Sequence, residues 1–418
     1  MRDPSELHAL YAFLVAAAVT SAVTPLTMRL ARRIGLVDVP RERGLAEHAT
    51  PMLGGLAIFA GALVAGLLWL PSQGVYHGLL IGAAFITLVG ALDDRYDLHP
   101  AIKLAGQIIA AVIVVHFGAW APSITLPFVG HLSFPHAGPT LTVIGLVFLM
   151  NVVNFSDGAD GLTAGVCAIV SLALAVIAFD LHRDAAGVLA ALTAGASLGF
   201  LFYNFPPAKT FMGDCGSNLL GLLMGVITVQ AAVKTEVVVS FVVPLILLAV
   251  PFLDTTFVVL KRLKYHQPVY RADSEHFHHR MARIGFSRRR TIAYMYAWTL
   301  MLAGLALALR FVPYSDHHNH YDLGWSLVMG AIALLVAAAS VYLVYVLEIL
   351  KFRRLDAVRL RGLRPQATPA EIERGVTADF ETGEYDVVVE QDGTAGPRRI
   401  TGGERRSSRA PARPEVGR

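Results

Sequence analysis

The sequence predicts an all-α polytopic membrane protein of about eleven transmembrane helices, and three observations predict it. Hydrophobic residues make up 55% of the 418-residue chain and charged residues only 16%, against about 25% charged in ordinary soluble domains. Mean hydropathy is +0.55. Apolar runs near 20 residues, the length that crosses a bilayer, recur along the chain. They are Ala9–Met28, Leu53–Leu70, His77–Leu92, Ile102–Trp120, Thr140–Phe155, Leu162–Phe179, Ala185–Tyr203, Cys215–Ala232, Val237–Leu260, Ile292–Val312 and Leu323–Leu350. The first lacks a small-residue cleavage site and leads into further spans, so it is expected to be a retained helix rather than a signal peptide.

Lys and Arg set the expected orientation. Arg29, Arg32, Arg33, Arg41 and Arg43 follow the first span. Lys261, Arg262, Lys264, Arg271, Arg280, Arg283 and Arg288 to Arg290 follow the ninth, and Lys351, Arg353 and Arg354 follow the last. Eleven alternating spans place all three groups on one side, which the positive-inside rule makes cytoplasmic, with the N-terminus outside. Residues 1–350 then form the membrane domain. Residues 351–418, rich in Arg, Glu, Gly, Pro and Ser, read as a cytoplasmic, largely disordered tail. The net charge of +4, carried mostly by loops and tail, fits membrane orientation and not nucleic-acid binding. Cys167 and Cys215 are too few for a disulfide framework or a thiolate metal site.

Four polar clusters interrupt the apolar pattern, and the expected topology puts all four on the cytoplasmic face. Asp93-Asp94-Arg95-Tyr96-Asp97 ends the third span. Paired carboxylates at a membrane-helix end are costly unless hydrated, paired or metal-bound, so the pair is either a phosphate–cation site or a water-exposed acidic loop. Asn151-Val-Val-Asn154-Phe-Ser-Asp157-Gly-Ala-Asp160-Gly161 ends the fifth. Its amides and carboxylates can meet a base edge or ribose hydroxyls, and a helix cap explains only one of them. Phe211-Met-Gly213-Asp214-Cys-Gly216-Ser217-Asn218 opens the eighth. A Gly-rich turn into a helix offers N–H groups to an anion, and an aspartate there either caps the helix or holds a cation. Mg²⁺ is usually held by one or two carboxylates plus substrate phosphates, which makes Asp214 the first choice as metal ligand. His276-Phe-His278-His279-Arg280, in the basic ninth connection, fits anion or sugar binding better than zinc. Asp254, inside the ninth span, is a functional candidate or a hydrogen-bonding group at a proline break.

Together the four clusters resemble glycosyltransferase family 4, the polyprenyl-phosphate N-acetylhexosamine-1-phosphate transferases, with the motifs in family order across roughly residues 20–300. The D-x-x-H-x-H-H form, which begins here at Asp273, looks like the N-acetylglucosamine (WecA/TagO-like) branch more than the muramoyl-pentapeptide branch. The resemblance implies Mg²⁺ dependence, with Mn²⁺ as substitute. It implies a UDP-sugar donor, an undecaprenyl or other polyprenyl phosphate acceptor and release of UMP, at the cytoplasmic membrane, as the first membrane step of cell-envelope polysaccharide synthesis. Carried over residue by residue, Asp93 and Asp94 match the family's aspartate pair, Asp93 its proposed base, and Lys103 a lysine placed near phosphate. Asn154 and Asp157 match the Asn/Asp-Gly segment, and Gly158, Ala159 and Asp160 look like part of a uracil pocket. Asn204 and Phe211 match residues that contact and stack on uracil, and Asp214 matches the Mg²⁺ ligand. His276, His278, His279 and Arg280 are implied in substrate binding.

One departure stands out: the first connection has Gly44 and Ala46 where the family has Lys and His, although Pro51, Gly54 and Gly55 match. His48 could take the histidine's part if the loop is shifted. The rival of another class is an ion-coupled transporter, which predicts acids near mid-membrane and internal repeat symmetry.

Overall fold

The computed structural model describes residues 4–38, 49–126, 130–232, 246, 248, 249, 252, 253, 287–313 and 322–345. Ten helices account for most of them. They are α1 (Pro4–Arg33), α2 (Gly54–Trp69), α3 (Val75–Tyr96), α4 (Pro100–His116), α5 (Gly138–Ser156), α6 (Leu162–Asp180), α7 (Asp184–Asn204), α8 (Gly213–Ala232), α9 (Arg288–Phe311) and α10 (Leu323–Tyr345). Each overlies one of the expected spans. Seven of the helices among the described residues are long and apolar enough to cross a membrane, while α2 and α4 are apolar but shorter. The expected span Val237–Leu260, with Asp254, lies outside the described residues except for five positions, and so do residues 351–418.

Helix limits follow local chemistry. Glu6 lies in the first turn of α1 and Arg32 and Arg33 in its last, matching the charges to the helix dipole. That polar frame lets the helix extend beyond its apolar run at both ends. Helix α4 starts earlier than its apolar run, because His99 accepts the Ala101 N–H and Pro100 takes the first position, where no N–H is needed. It also ends earlier, at His116, and Gly118 then adopts φ +102°. Helix α3 runs on through Tyr96, so Asp93 and Asp94 sit within its last turn.

Two short antiparallel hairpins join the helices: β1 (Val37–Asp38) with β2 (Thr50–Pro51), and β3 (Ser123–Leu126) with β4 (Gly130–Ser133). Neither was expected, since strands of two to four residues in connections carry no readable alternation.

Helices α6 and α7 form the centre, each with 78% of its apolar window buried, whereas α10 has 17% and turns Leu323, Leu327, Leu334 and Leu335 outward. Helix α1 packs along α7 and α2, α3 and α5 pack on α8, α4 bridges α3 and α5, and α9 lies on α6. The C-terminal ends of α3, α5 and α7 meet the N-terminal ends of α4, α8 and α9 at one end of the bundle, through the contacts given below. Asp180 and Arg310 pair at 2.6 Å at the far ends of α6 and α9.

Candidate active site

The turn from α3 into α4 builds the first half of the site. Asp97 adopts a left-handed conformation (φ 50°) and returns its N–H to the Asp93 carbonyl at 2.9 Å. Asp93 Oδ1 accepts the Leu98 N–H at 2.9 Å. This tight reversal brings the first turn of α4 beside the last turn of α3, and Lys103 Nζ lies 3.1 Å from Asp93 Oδ2.

Helices α5 and α8 complete it. Lys103 Nζ donates to Asn154 Oδ1 at 3.2 Å and forms a close ion pair with Asp214 Oδ2. Asn154 Nδ2 donates to Asp214 Oδ1 at 2.6 Å and to Ser217 Oγ at 2.8 Å. Residues from three helices thus converge on one ammonium group carried by a fourth, which is held by three oxygens.

The start of α8 corrects one expectation. Its first N–H groups are not left open for an anion, because Asp94 takes them: Oδ1 accepts from Asp214 at 2.7 Å and Oδ2 from Cys215 at 3.2 Å. Asp94 is therefore a capping group supplied from a neighbouring helix. Asp214 does not cap its own helix but turns its carboxylate to Lys103 and Asn154. The fit demands glycine at two places. Gly213 has φ +68°, and a Cβ there would run into the Asp94 carboxylate. Gly90 lets α3 lie against the Cys215 backbone, which a side chain would block.

A second group of loops lies beside this cluster. Asn204 is buried, 4% exposed, and both its polar atoms are engaged. Its Oδ1 accepts from Gly161 N and its Nδ2 donates to the Thr210 carbonyl, each at 2.8 Å. It therefore braces the 157–161 loop against the 205–211 loop. Asp160 Oδ2 accepts from Ala208 N at 3.0 Å and lies 3.6 Å from Arg288. Gly158 is exposed and Ala159 half-buried on the same loop. Phe211, also half-buried, is held by its own backbone. Its N–H reaches the Pro51 carbonyl at 2.8 Å, and its carbonyl accepts from Gly54 N at 2.9 Å. Burial, and then the charge of Asp214, push the Asp157 carboxyl up to about 8.

Comparison with known proteins gives this arrangement its family. Residues 76–232 match the model of glycosyl transferase family 4. The chain is 34% identical over 321 residues to a probable undecaprenyl-phosphate N-acetylglucosaminyl 1-phosphate transferase of Bacillus subtilis, covering 74% of this chain and 87% of that protein. It is 35% identical over 334 residues to a decaprenyl-phosphate N-acetylglucosaminephosphotransferase of Mycobacterium tuberculosis, covering 72% and 82%. A phospho-N-acetylmuramoyl-pentapeptide-transferase of Pelotomaculum thermopropionicum is 33% identical over 326 residues, covering 71% and 96%. The chain belongs to glycosyl transferase family 4.

The family 4 match encloses every residue of the cluster and of the two loops up to Asp214. Of the residues singled out in the sequence, Asp93, Lys103, Asn154 and Asp214 meet through their side chains, and Asp94 joins them through the Asp214 backbone. Asp160 and Asn204 join the neighbouring loops, with Phe211 at the end of one of them. His276, His278, His279, Arg280 and the altered 39–48 connection lie outside the described residues. Sequence reading of this family 4 chain missed Arg289 and Tyr296 as contributors. Arg289 Nε donates to the Pro206 carbonyl at 3.1 Å, and the Tyr296 hydroxyl donates to the Gly161 carbonyl at 2.5 Å. In the sequence Arg288 and Arg289 read only as orienting charge, and a tyrosine one turn inside an apolar run carries no signal of its own.

Among the described residues no three His, Cys, Asp or Glu side chains are grouped as a self-sufficient metal cage. The donor set does fit a hard cation shared with a phosphate: two carboxylates and an amide oxygen already surround a positive group.

Proposed function

We propose that this family 4 chain transfers N-acetylglucosamine-1-phosphate from UDP-N-acetylglucosamine to a polyprenyl phosphate and releases UMP. The observation that supports it is the Asp93–Lys103–Asn154–Asp214 cluster, placed at helix ends where a membrane-anchored phosphate would lie. Its relatives named for N-acetylglucosamine transfer are 34% and 35% identical. An oxygen of the lipid phosphate attacks the β-phosphorus of the donor, a new P–O–P link forms, and the bond from that phosphorus to the UMP oxygen breaks.

Such transfers need little covalent help and depend on positioning and counter-charge. Lys103 supplies a fixed positive charge to the incoming phosphates. Asp93 and Asp214 keep that ammonium in place, and Asn154 holds Asp214 in one rotamer. Asp214, Asp93 and Asn154 Oδ1 are the residues that would hold Mg²⁺, or Mn²⁺ in its stead. The ion, when bound, offsets negative charge on the diphosphate. The loops braced by Asn204 and Asp160 would receive the uridine beside Phe211. On this reading the site faces the cytoplasm at the cytoplasmic membrane, a placement that the Lys and Arg distribution supports.

The test is purified protein with polyprenyl phosphate, Mg²⁺ and a panel of UDP-sugars, including the muramoyl-pentapeptide donor, following UMP and lipid-linked product. UMP from UDP-N-acetylglucosamine, lost on chelation and in Asp214→Asn, is expected. Turnover of only the muramoyl donor would move the chain to that branch of the family. No turnover of any donor by folded protein would overturn the enzyme reading in favour of transport or binding.

A further inference from the structure

Beneath the cluster lies a second polar layer that the reaction as described does not use. Gln107 is on α4, one turn inward from Lys103. Asn218 is on α8, one turn inward from Asp214. Asn151 is on α5, one turn inward from Asn154, since α5 runs toward the site. Three helices thus each carry two polar residues, one in the cluster and one about 5 Å deeper.

The deeper residues form a continuous chain. Asn151 Nδ2 donates to Gln107 Oε1 at 2.8 Å and to the Val147 carbonyl at 2.8 Å. Gln107 Nε2 donates to Asn218 Oδ1 at 2.7 Å, and Asn218 Nδ2 donates to the Asp214 carbonyl at 2.8 Å. Gln107 and Asn218 are each 1% exposed. Buried amides in an apolar helix bundle cost stability wherever a partner is missing, and apolar side chains would pack these helices without that cost. What apolar packing cannot supply is direction. The Asn151–Gln107 and Gln107–Asn218 hydrogen bonds fix the rotation of α5 and α8 against α4, and hence where Lys103, Asn154 and Asp214 point, while the bonds to the Val147 and Asp214 carbonyls hold the Asn151 and Asn218 amides to their own helices.

We propose that Gln107, Asn151 and Asn218 are positioning residues, an amide layer that sets the register of α4, α5 and α8 so that Lys103, Asn154 and Asp214 meet. Gln107 is its centre, because it alone bonds to both of the others. The inference rests on the transferase reading, and it assigns these residues to catalysis by way of their neighbours and not to substrate contact.

The test is steady-state kinetics of full-length enzyme in detergent with polyprenyl phosphate and UDP-N-acetylglucosamine, with thermal melting run alongside. Gln107→Leu is expected to lower kcat per folded enzyme by about 10- to 100-fold, the scale of a small misplacement of reacting groups, with KM for the donor within about twofold. Gln107→Leu combined with Asn151→Leu should cost no more kcat than the single change, because the layer acts as a unit. Gln107→Met keeps the length of the side chain but bonds to neither Asn151 nor Asn218, and should lose kcat as well. It serves if the leucine variant does not accumulate. A Gln107→Leu or Gln107→Met enzyme that melts at lower temperature but keeps kcat within twofold would reduce the layer to packing and overturn the proposal. So would losses that multiply in the double variant. An inactive wild-type protein would count against the transferase reading and not against the layer.

Discussion

The carboxylate of Asp94 accepts the backbone N–H of Asp214 at 2.7 Å, so one acid of the site holds the helix that carries another. The sequence distance between them is 120 residues, and the contact is made only because α3 packs on α8. Asp94→Ala leaves two N–H groups at the start of α8 without their acceptor. Loss of a cap costs about 0.5–2 kcal/mol, and Asp214 should shift with its helix start. The expected outcome is a lowered melting temperature together with a loss of activity of about 100-fold. Asp94→Asn keeps one acceptor oxygen and should retain more of both. Thermal melting and UMP release measure the two effects separately.

Asp93 is engaged at both oxygens, with the Leu98 N–H on one and Lys103 on the other. A phosphate monoester is already largely dianionic above about pH 6, which leaves a base little to remove. Asp93 is therefore expected to act by holding Lys103. Asp93→Asn should lose activity by the same factor across pH 6 to 9. A ratio to wild type that closes as pH rises would assign it the base role instead.

Asp157 gives a pH dependence with a definite sign. Its carboxyl is raised to about 8 in the fold by burial and by Asp214, against about 3.9 in an unfolded chain. Between those values the folded state binds more protons than the unfolded one, so stability falls as pH rises through the window. Metal-free protein should melt at progressively lower temperature from about pH 5 to pH 8, and Asp157→Asn should flatten that slope. An unchanged slope in the variant would assign the pH dependence to another group.

Tyr296 ties α9 to the loop that follows α5. Its hydroxyl donates to the Gly161 carbonyl, while Gly161 N donates to Asn204. Tyr296→Phe removes one hydrogen bond of about 1 kcal/mol and keeps the ring. The expected result is a KM for UDP-N-acetylglucosamine raised several-fold with kcat little changed, because the loop is loosened away from the Lys103 cluster. A fall in kcat at constant KM would place the loop in the chemical step. Gly165→Ala is the harsher companion, since its methyl would strike the Tyr296 ring.

Much of this was legible in the amino-acid order. Bilayer thickness fixes how long an apolar run must be, so helices α1 to α10 could be placed from composition alone. Polar groups at the ends of such runs are costly, so Asp93, Asn154, Asp157 and Asp214 stood out before any contact was known. The class of protein, the helices and the residue types that gather at their ends can therefore be read from the order of residues. The partner of each of those residues is set by how the helices pack. Asp94 became a cap, Asn204 a brace, and Gln107 the centre of a buried layer. Tyr296 and Arg289 entered from a segment that reads as lipid-facing helix and loop charge. A hydrogen bond between helices depends on which faces meet and at what rotation, and apolar periodicity in a membrane helix leaves that rotation open.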